Sequence, residues 1–292
     1  MLAQAPGFCH RLFWALGIGF GLVALPAKSD PLKSDLFSSA WSGTASDKAQ
    51  MRLIAGTARG QGRYAAAAEI KLAGAAVTYW RQPGDAGVPP TFSFQGSTNL
   101  AAAEVAYPAP LRIDEQGLEA FGYRGDVAFP IAVTARDPAK PVHLRLTLDY
   151  AVCDKICLPA KSEAELELPQ TGVSDAEQLI AQAAAHVPTP LTKAAAAQEF
   201  VITPDPAAAR PTWLLDWKGP EPKDLFAEAP DGWDIETHRL STRRFSLVAV
   251  QQPLQGLSPR ISTQLTLTTA GQSYVFSVDL DLPAQASTSG AK

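Results

Sequence analysis

The sequence predicts an all-β protein: an immunoglobulin-like β-sandwich, a helical connector, and a second, smaller β domain. Three observations point there. Short runs of alternating apolar and polar residues dominate the chain, clusters of Gly and Pro separate them, and helical texture is confined to a stretch between about residues 174 and 198.

Residues 1–29 read as a secretory signal peptide. Arg11 precedes an apolar run, Leu12 to Leu25, that is too short to span a bilayer and ends in Ala27-Lys28-Ser29, with cleavage expected after Ser29. Cleavage would remove Cys9, Arg11 and Lys28 and no acid, leaving 23 Lys and Arg against 29 Asp and Glu, a formal charge of −6. That balance argues against nucleic acid, whose binding proteins cluster Lys and Arg. No later segment is apolar for long enough to cross a bilayer, so the expected product is exported and not inserted. Its length exceeds the usual single core and suggests two domains.

The first domain is expected over residues 30–170. Its strands begin with "RLIAG", "AAAAEIKLAG" and "VTYWR", pass the turn cluster "QPGDAGVPP", and continue with "TFSFQG", "AEVAYP" and "VAFPIAVTA". In "VHLRLTLDY", Val142, Leu144, Leu146, Leu148 and Tyr150 alternate with His143, Arg145, Thr147 and Asp149, the period of a half-buried strand. "AELEL" repeats the pattern, with Ala164, Leu166 and Leu168 opposite Glu165 and Glu167, and predicts a strand from Glu163 to Leu168. Many short strands at such spacing fit an immunoglobulin-type sandwich.

The connector is expected over 171–198. "SDAEQLIAQAAAH" opens with Ser174 and has Glu177 three residues on, a capping-box pattern, and Pro188 stops it. The second β domain, 199–285, is announced by "TWLLDWKG", "RFSLVAVQQP" and the hairpin "QLTLTTAGQSYVFSVDLDL", in which Tyr274, Phe276, Val278, Leu280 and Leu282 share one face and "AGQS" supplies the turn. Residues 286–292 are expected to be disordered.

Chemistry concentrates in "DYAVCDKICLPA", where Cys153 and Cys157 are the only thiols left after leader removal. A helical turn would bring Cα atoms four apart within about 6 Å, inside disulfide range. Three roles fit the spacing. As a redox couple, one thiolate attacks a partner disulfide and the other resolves the mixed disulfide. As a metal site, two soft sulfurs suit Cu(I). As a staple, the disulfide closes a loop so short that it removes little chain entropy. The chain has no G-x-S-x-G, H-E-x-x-H or P-loop pattern to suggest other catalysis.

The surroundings of the pair carry a resemblance. "GYRGDVAFPIAV" followed by "LRLTLDYAVCDKICLP", with "VTYWRQPGDAG" and "PAPLRIDEQG" upstream, resembles the N-terminal periplasmic domain of the thiol:disulfide interchange protein DsbD, over roughly residues 36–170 and most specifically from Tyr123 to Pro159. The resemblance implies a periplasmic immunoglobulin-like domain that takes electrons from a membrane-embedded thiol donor and passes them to thioredoxin-like or disulfide-containing partners, without a dissociable cofactor. It implies Cys153 and Cys157 as the active couple, with Cys157 forming the mixed disulfide. It also implies a cap loop within "LRIDEQGLEAF", placing Asp114 and Glu115 at the acidic pair and leaving Leu118 or Phe121 as the lid, and an aromatic wall from Tyr79 or Trp80. Lys155, between the cysteines, could lower a thiolate pKa by its charge. The alternatives of a different class are a periplasmic copper carrier and a partner-docking module whose disulfide is structural.

Overall fold

The computed structural model describes residues 36–43, 48–254 and 259–282; the expected signal peptide and the tail 286–292 lie outside them. Ten strands build the first sandwich: β1 (Ala49–Ala55), β2 (Arg63–Leu72), β3 (Val77–Gly84), β4 (Thr91–Ser93), β5 (Leu100–Val105), β6 (Leu111–Glu115), β7 (Leu118–Arg124), β8 (Val127–Ala135), β9 (Val142–Cys153) and β10 (Cys157–Leu168). One sheet runs β1-β2-β8-β5; the other runs β10-β9-β3-β7-β6, with β4 also paired to β9. The alternation in β9 does what its period requires: Val142, Leu144, Leu146 and Leu148 are fully buried between the sheets, against Met51, Ile70 and Phe129 of the facing sheet.

Two expectations change here. β10 starts at Cys157, not Glu163, so Cys153 and Cys157 face each other across a hairpin, and the turn between them is not helical. The stretch 111–121, expected as a cap loop, is a β-hairpin of β6 and β7. Its turn places Gln116 and Gly117 at φ 58° and 89°, the left-handed pair of a two-residue hairpin loop, and the Asp114 carboxylate accepts the Gly117 N–H at 2.9 Å.

The connector divides between the sandwiches. Helix α1 (Glu177–Ala185) lays Ile180 on Ile54 and Ala67, on the outer face of β1 and β2. The expected capping box does not form: the Glu177 carboxylate accepts the Thr57 N–H at 2.7 Å, and the Ser174 hydroxyl donates to the Ala55 carbonyl at 2.5 Å. Both side chains anchor the helix to the end of β1 instead. Helix α2 (Lys193–Glu199), capped by Thr192, puts Ala196 into the second core.

The second sandwich contains β11 (Thr189–Pro190), β12 (Phe200–Pro204), β13 (Thr212–Trp217), β14 (Pro222–Glu228), β15 (Asp234–Arg239), β16 (Arg244–Gln251), β17 (Arg260–Thr269) and β18 (Ser273–Asp281). Its sheets run β11-β18-β17-β14 and β12-β13-β16-β15, closed on Trp213, Leu215, Phe245, Leu265 and Leu280.

β14 belongs to two cores. Leu225 and Ala227 face the second sandwich, whereas Phe226, fully buried, packs edge-on against Trp80 and Phe121 of the first at centroid distances of 6.0 and 5.0 Å. On the same face, Glu228 takes a two-point bond from Arg81 at 2.6 and 2.8 Å, and Asp224 one from Arg112 at 3.0 Å on each oxygen.

Candidate functional site

The cysteine pair lies on the outer face of the second sheet, on a small apolar floor of Val77, Tyr79, Ile113, Ala120 and Ala151. Period-2 alternation in β3 decides which aromatic is here. Tyr79 faces the cysteines, and its neighbour Trp80 points the other way, into the core. β7 is pressed closely onto β3: a Cβ on Gly122 would lie 2.2 Å from the Thr78 carbonyl oxygen, so only glycine fits.

Cys153 and Cys157 form a disulfide with Cα atoms 4.0 Å apart. The two sulfurs live in different surroundings: Cys153 is 3% exposed, while Cys157 is open to solvent beside Ile156, itself 69% exposed. The Tyr79 hydroxyl lies 2.6 Å from Cys153 Sγ and 3.5 Å from Cys157 Sγ, and it donates to Glu115 Oε2 at 2.8 Å. Burial, followed by the bond and charge of Glu115, raises the Tyr79 pKa well above its ordinary value, so the phenol keeps its proton. Glu115 and both sulfurs fall within 4.8 Å of one another. A cavity of about 240 Å³ opens over them, walled by Ile113 to Gln116 on one side and Asp154 to Ile156 on the other.

The expected site residues thus separate. Cys153, Cys157, Glu115 and Tyr79 converge. Asp114 lines the cavity but spends one carboxylate oxygen on its own turn. Lys155 is exposed at the rim of the hairpin turn. The neighbouring Asp154, not anticipated, pairs with Lys48, and that bond lowers its pKa. Three expectations are corrected. Trp80 and Phe121 are core residues against Phe226, because they point inward from their strands, and Leu118, 54% exposed, does not line the cavity. No aromatic lid covers the pair among the residues that line it; the acidic hairpin occupies that side.

An immunoglobulin-like sandwich bearing such a pair falls in the class of thiol:disulfide interchange domains. Residues 48–169 match the family model described as thiol:disulfide interchange protein DsbD, N-terminal. Among solved structures, the N-terminal periplasmic domain of ScsB from Proteus mirabilis is 21% identical, with a TM-score of 0.65 over 84% of this chain and 99% of that one. The likeness is one of fold, and its extent reaches far beyond residues 48–169, so it takes in the second sandwich, for which the sequence offered no counterpart. The C-terminal domain of BspA, an AgI/II polypeptide of Streptococcus agalactiae, aligns at 8% identity over 78% of this chain and 95% of that one with a TM-score of 0.13, too low to bear on the fold. No curated protein matches the chain significantly. Among the described residues no helix is long and apolar enough to cross a membrane.

Proposed function

We propose that the protein is a periplasmic thiol–disulfide exchange protein, a protein-disulfide reductase component that relays two electrons from a membrane-bound thiol donor to disulfides of partner proteins through Cys153 and Cys157. The observation that supports it best is the asymmetry of the pair: one exposed sulfur able to meet a partner, and one buried sulfur touching a phenol that is bonded to a carboxylate. The periplasmic origin of the ScsB domain and the family match over residues 48–169 support the compartment and the partner class, which is thioredoxin-like or disulfide-containing.

The steps follow from that asymmetry. A donor dithiol reduces the disulfide, leaving two thiols and an oxidised donor. Cys157 then attacks a partner disulfide as the thiolate; the partner's sulfur–sulfur bond breaks, one partner thiolate leaves, and a mixed disulfide forms. Cys153 next attacks Cys157 Sγ, expelling the second partner thiolate and restoring the internal disulfide. For this the Cys153 proton must go, and the path is Cys153 S–H to the Tyr79 oxygen while the Tyr79 proton passes to Glu115. No dissociable cofactor takes part, since the couple itself holds the electrons.

The test is trapping. With a model protein disulfide, reduced Cys153→Ser should accumulate a mixed disulfide on Cys157, whereas Cys157→Ser should accumulate none. A reduction potential between roughly −180 and −270 mV should accompany this; a value below about −300 mV, with no trapped species, would identify a structural staple. A second reading, a copper carrier, rests on the two adjacent sulfurs, which once reduced are soft ligands suited to Cu(I). Anaerobic Cu(I) titration of the reduced protein decides it: a carrier takes one tight equivalent that the double Cys→Ser variant loses.

A further inference from the structure

β6 has a single neighbour, β7, and is the last strand of its sheet. β7 in turn meets β3 across a register shift between Tyr79 and Gly84. A hairpin attached in this way is held to its sheet along one side only. It nevertheless holds Glu115 in place on Tyr79 beside the cysteines. What keeps it closed lies on its other face. Along β6, Ile113 and Glu115 point toward the cysteine pair, and Arg112 points to the opposite side.

We propose that the second sandwich is the brace of this hairpin, and that Arg112 is the positioning residue through which it fixes Glu115 beside Cys153 and Cys157. The inference rests on the reading of the pair as an exchange site. Arg112 gives the Asp224 carboxylate a two-point bond at 3.0 Å on each oxygen and donates to the Leu225 carbonyl at 2.9 Å and the Thr237 hydroxyl at 3.0 Å, all three belonging to the second sandwich. It also pairs with Glu119 across its own hairpin, and its guanidinium lies 5.1 and 5.3 Å from the ring centres of Phe121 and Phe226. A planar guanidinium serves all of these at once, which a lysine ammonium cannot. With Phe226 seated behind it, the acid-bearing strand is gripped from the side away from the sulfurs. The second sandwich therefore governs access to a disulfide it does not touch.

The experiment is the second-order rate of disulfide reduction by dithiothreitol in the full chain, which reads access to the pair without any protein partner. Asp224→Ala should raise the rate roughly three- to thirty-fold, the span of coupling through intervening residues. Glu115→Ala, which removes a carboxylate that repels the attacking thiolate, should raise it too. The double variant should go no faster than the quicker single variant, because both lesions remove the same obstacle. Arg112→Lys, keeping the charge and losing the two-point bond, should fall between wild type and Asp224→Ala. If Asp224→Ala loses cooperative melting, the isosteric Asp224→Asn replaces it. Wild-type rates in the Asp224 variants, or effects of Asp224→Ala and Glu115→Ala that multiply, overturn the brace. Rates that shift as expected while no protein disulfide is ever reduced would instead leave the brace standing and refute the exchange reading.

Discussion

Replacing Phe226 with alanine should unfold far more of the protein's stability than an ordinary contact between two domains would. The side chain is fully buried, packs edge-on against Trp80 and Phe121, and has the Arg112 guanidinium 5.3 Å from its ring centre. A buried Phe→Ala substitution costs about 3–5 kcal/mol, combining lost transfer free energy with the cavity left behind. The upper half of that range applies here, because the cavity is framed by rigid strands on both sides and cannot collapse. In a chain of this size about 2–4 °C of melting temperature goes with each kcal/mol, so the midpoint should fall by roughly 8–20 °C. Urea unfolding followed by near-ultraviolet circular dichroism gives the free energy, and scanning calorimetry gives the midpoint. A loss below about 1 kcal/mol, with an unmoved midpoint, would mean that Phe226 is a peripheral contact and that the two sandwiches do not share a core.

Three further outcomes follow from the geometry. Tyr79→Phe should leave the fold and the first exchange step intact but slow resolution of the mixed disulfide about a hundredfold, the scale of lost acid–base assistance; stopped-flow quenching would show the mixed disulfide building up, and resolution at the wild-type rate would exclude the phenol as proton carrier. Gly122→Ala forces a Cβ to within 2.2 Å of the Thr78 carbonyl oxygen, so β3 and β7 must separate, at a cost of about 1–3 kcal/mol in urea unfolding. Burial raises the pKa values of Tyr79, Tyr107 and Tyr123 above the unfolded value near 10. Above that pH the unfolded chain loses tyrosine protons that the folded chain keeps, so stability is full below about pH 10 and declines as pH rises beyond it; Tyr79→Phe should make the decline shallower in urea titrations.

The sequence disclosed elements where one face of a strand is wet and the other dry. β9 is the clearest case, since Val142 to Leu148 alternate with polar residues that face solvent. β14 was hidden for the opposite reason: Leu225 and Ala227 fill one core while Phe226 fills another, so "DLFAE" shows no contrast of period 2. The hairpin of β6 and β7 escaped because its turn, Gln116-Gly117, lacks the usual Asn or Asp, although Gly117 was a signal. Of the adjacent pair Tyr79 and Trp80, only one could face the cysteines, and that choice depends on strand register, which a single sequence does not reveal. Ser174 and Glu177 had the spacing of a capping box, yet Thr57 and Ala55 are the stronger claimants because they bring half-buried and buried backbone groups needing partners. The cysteines were legible as a pair, and their unequal exposure was not.

The register of β9 on β10 runs without interruption from Val142–Leu168 to Cys153–Cys157, so backbone pairing already sets the two sulfurs opposite each other. The bond between them closes a ring of few residues and restricts the unfolded chain little. Thermodynamic linkage then ties two quantities together: the difference in folding stability between oxidised and reduced forms equals the difference in reduction free energy between folded and unfolded chains. With the first small, repeated oxidation and reduction impose almost no cycle of loosening and tightening on the rest of the molecule. The potential of the couple then lies close to that of the same pair in the unfolded chain, and any shift that Tyr79 or Glu115 imposes on it reappears as an equal difference in folding stability between the oxidised and reduced forms.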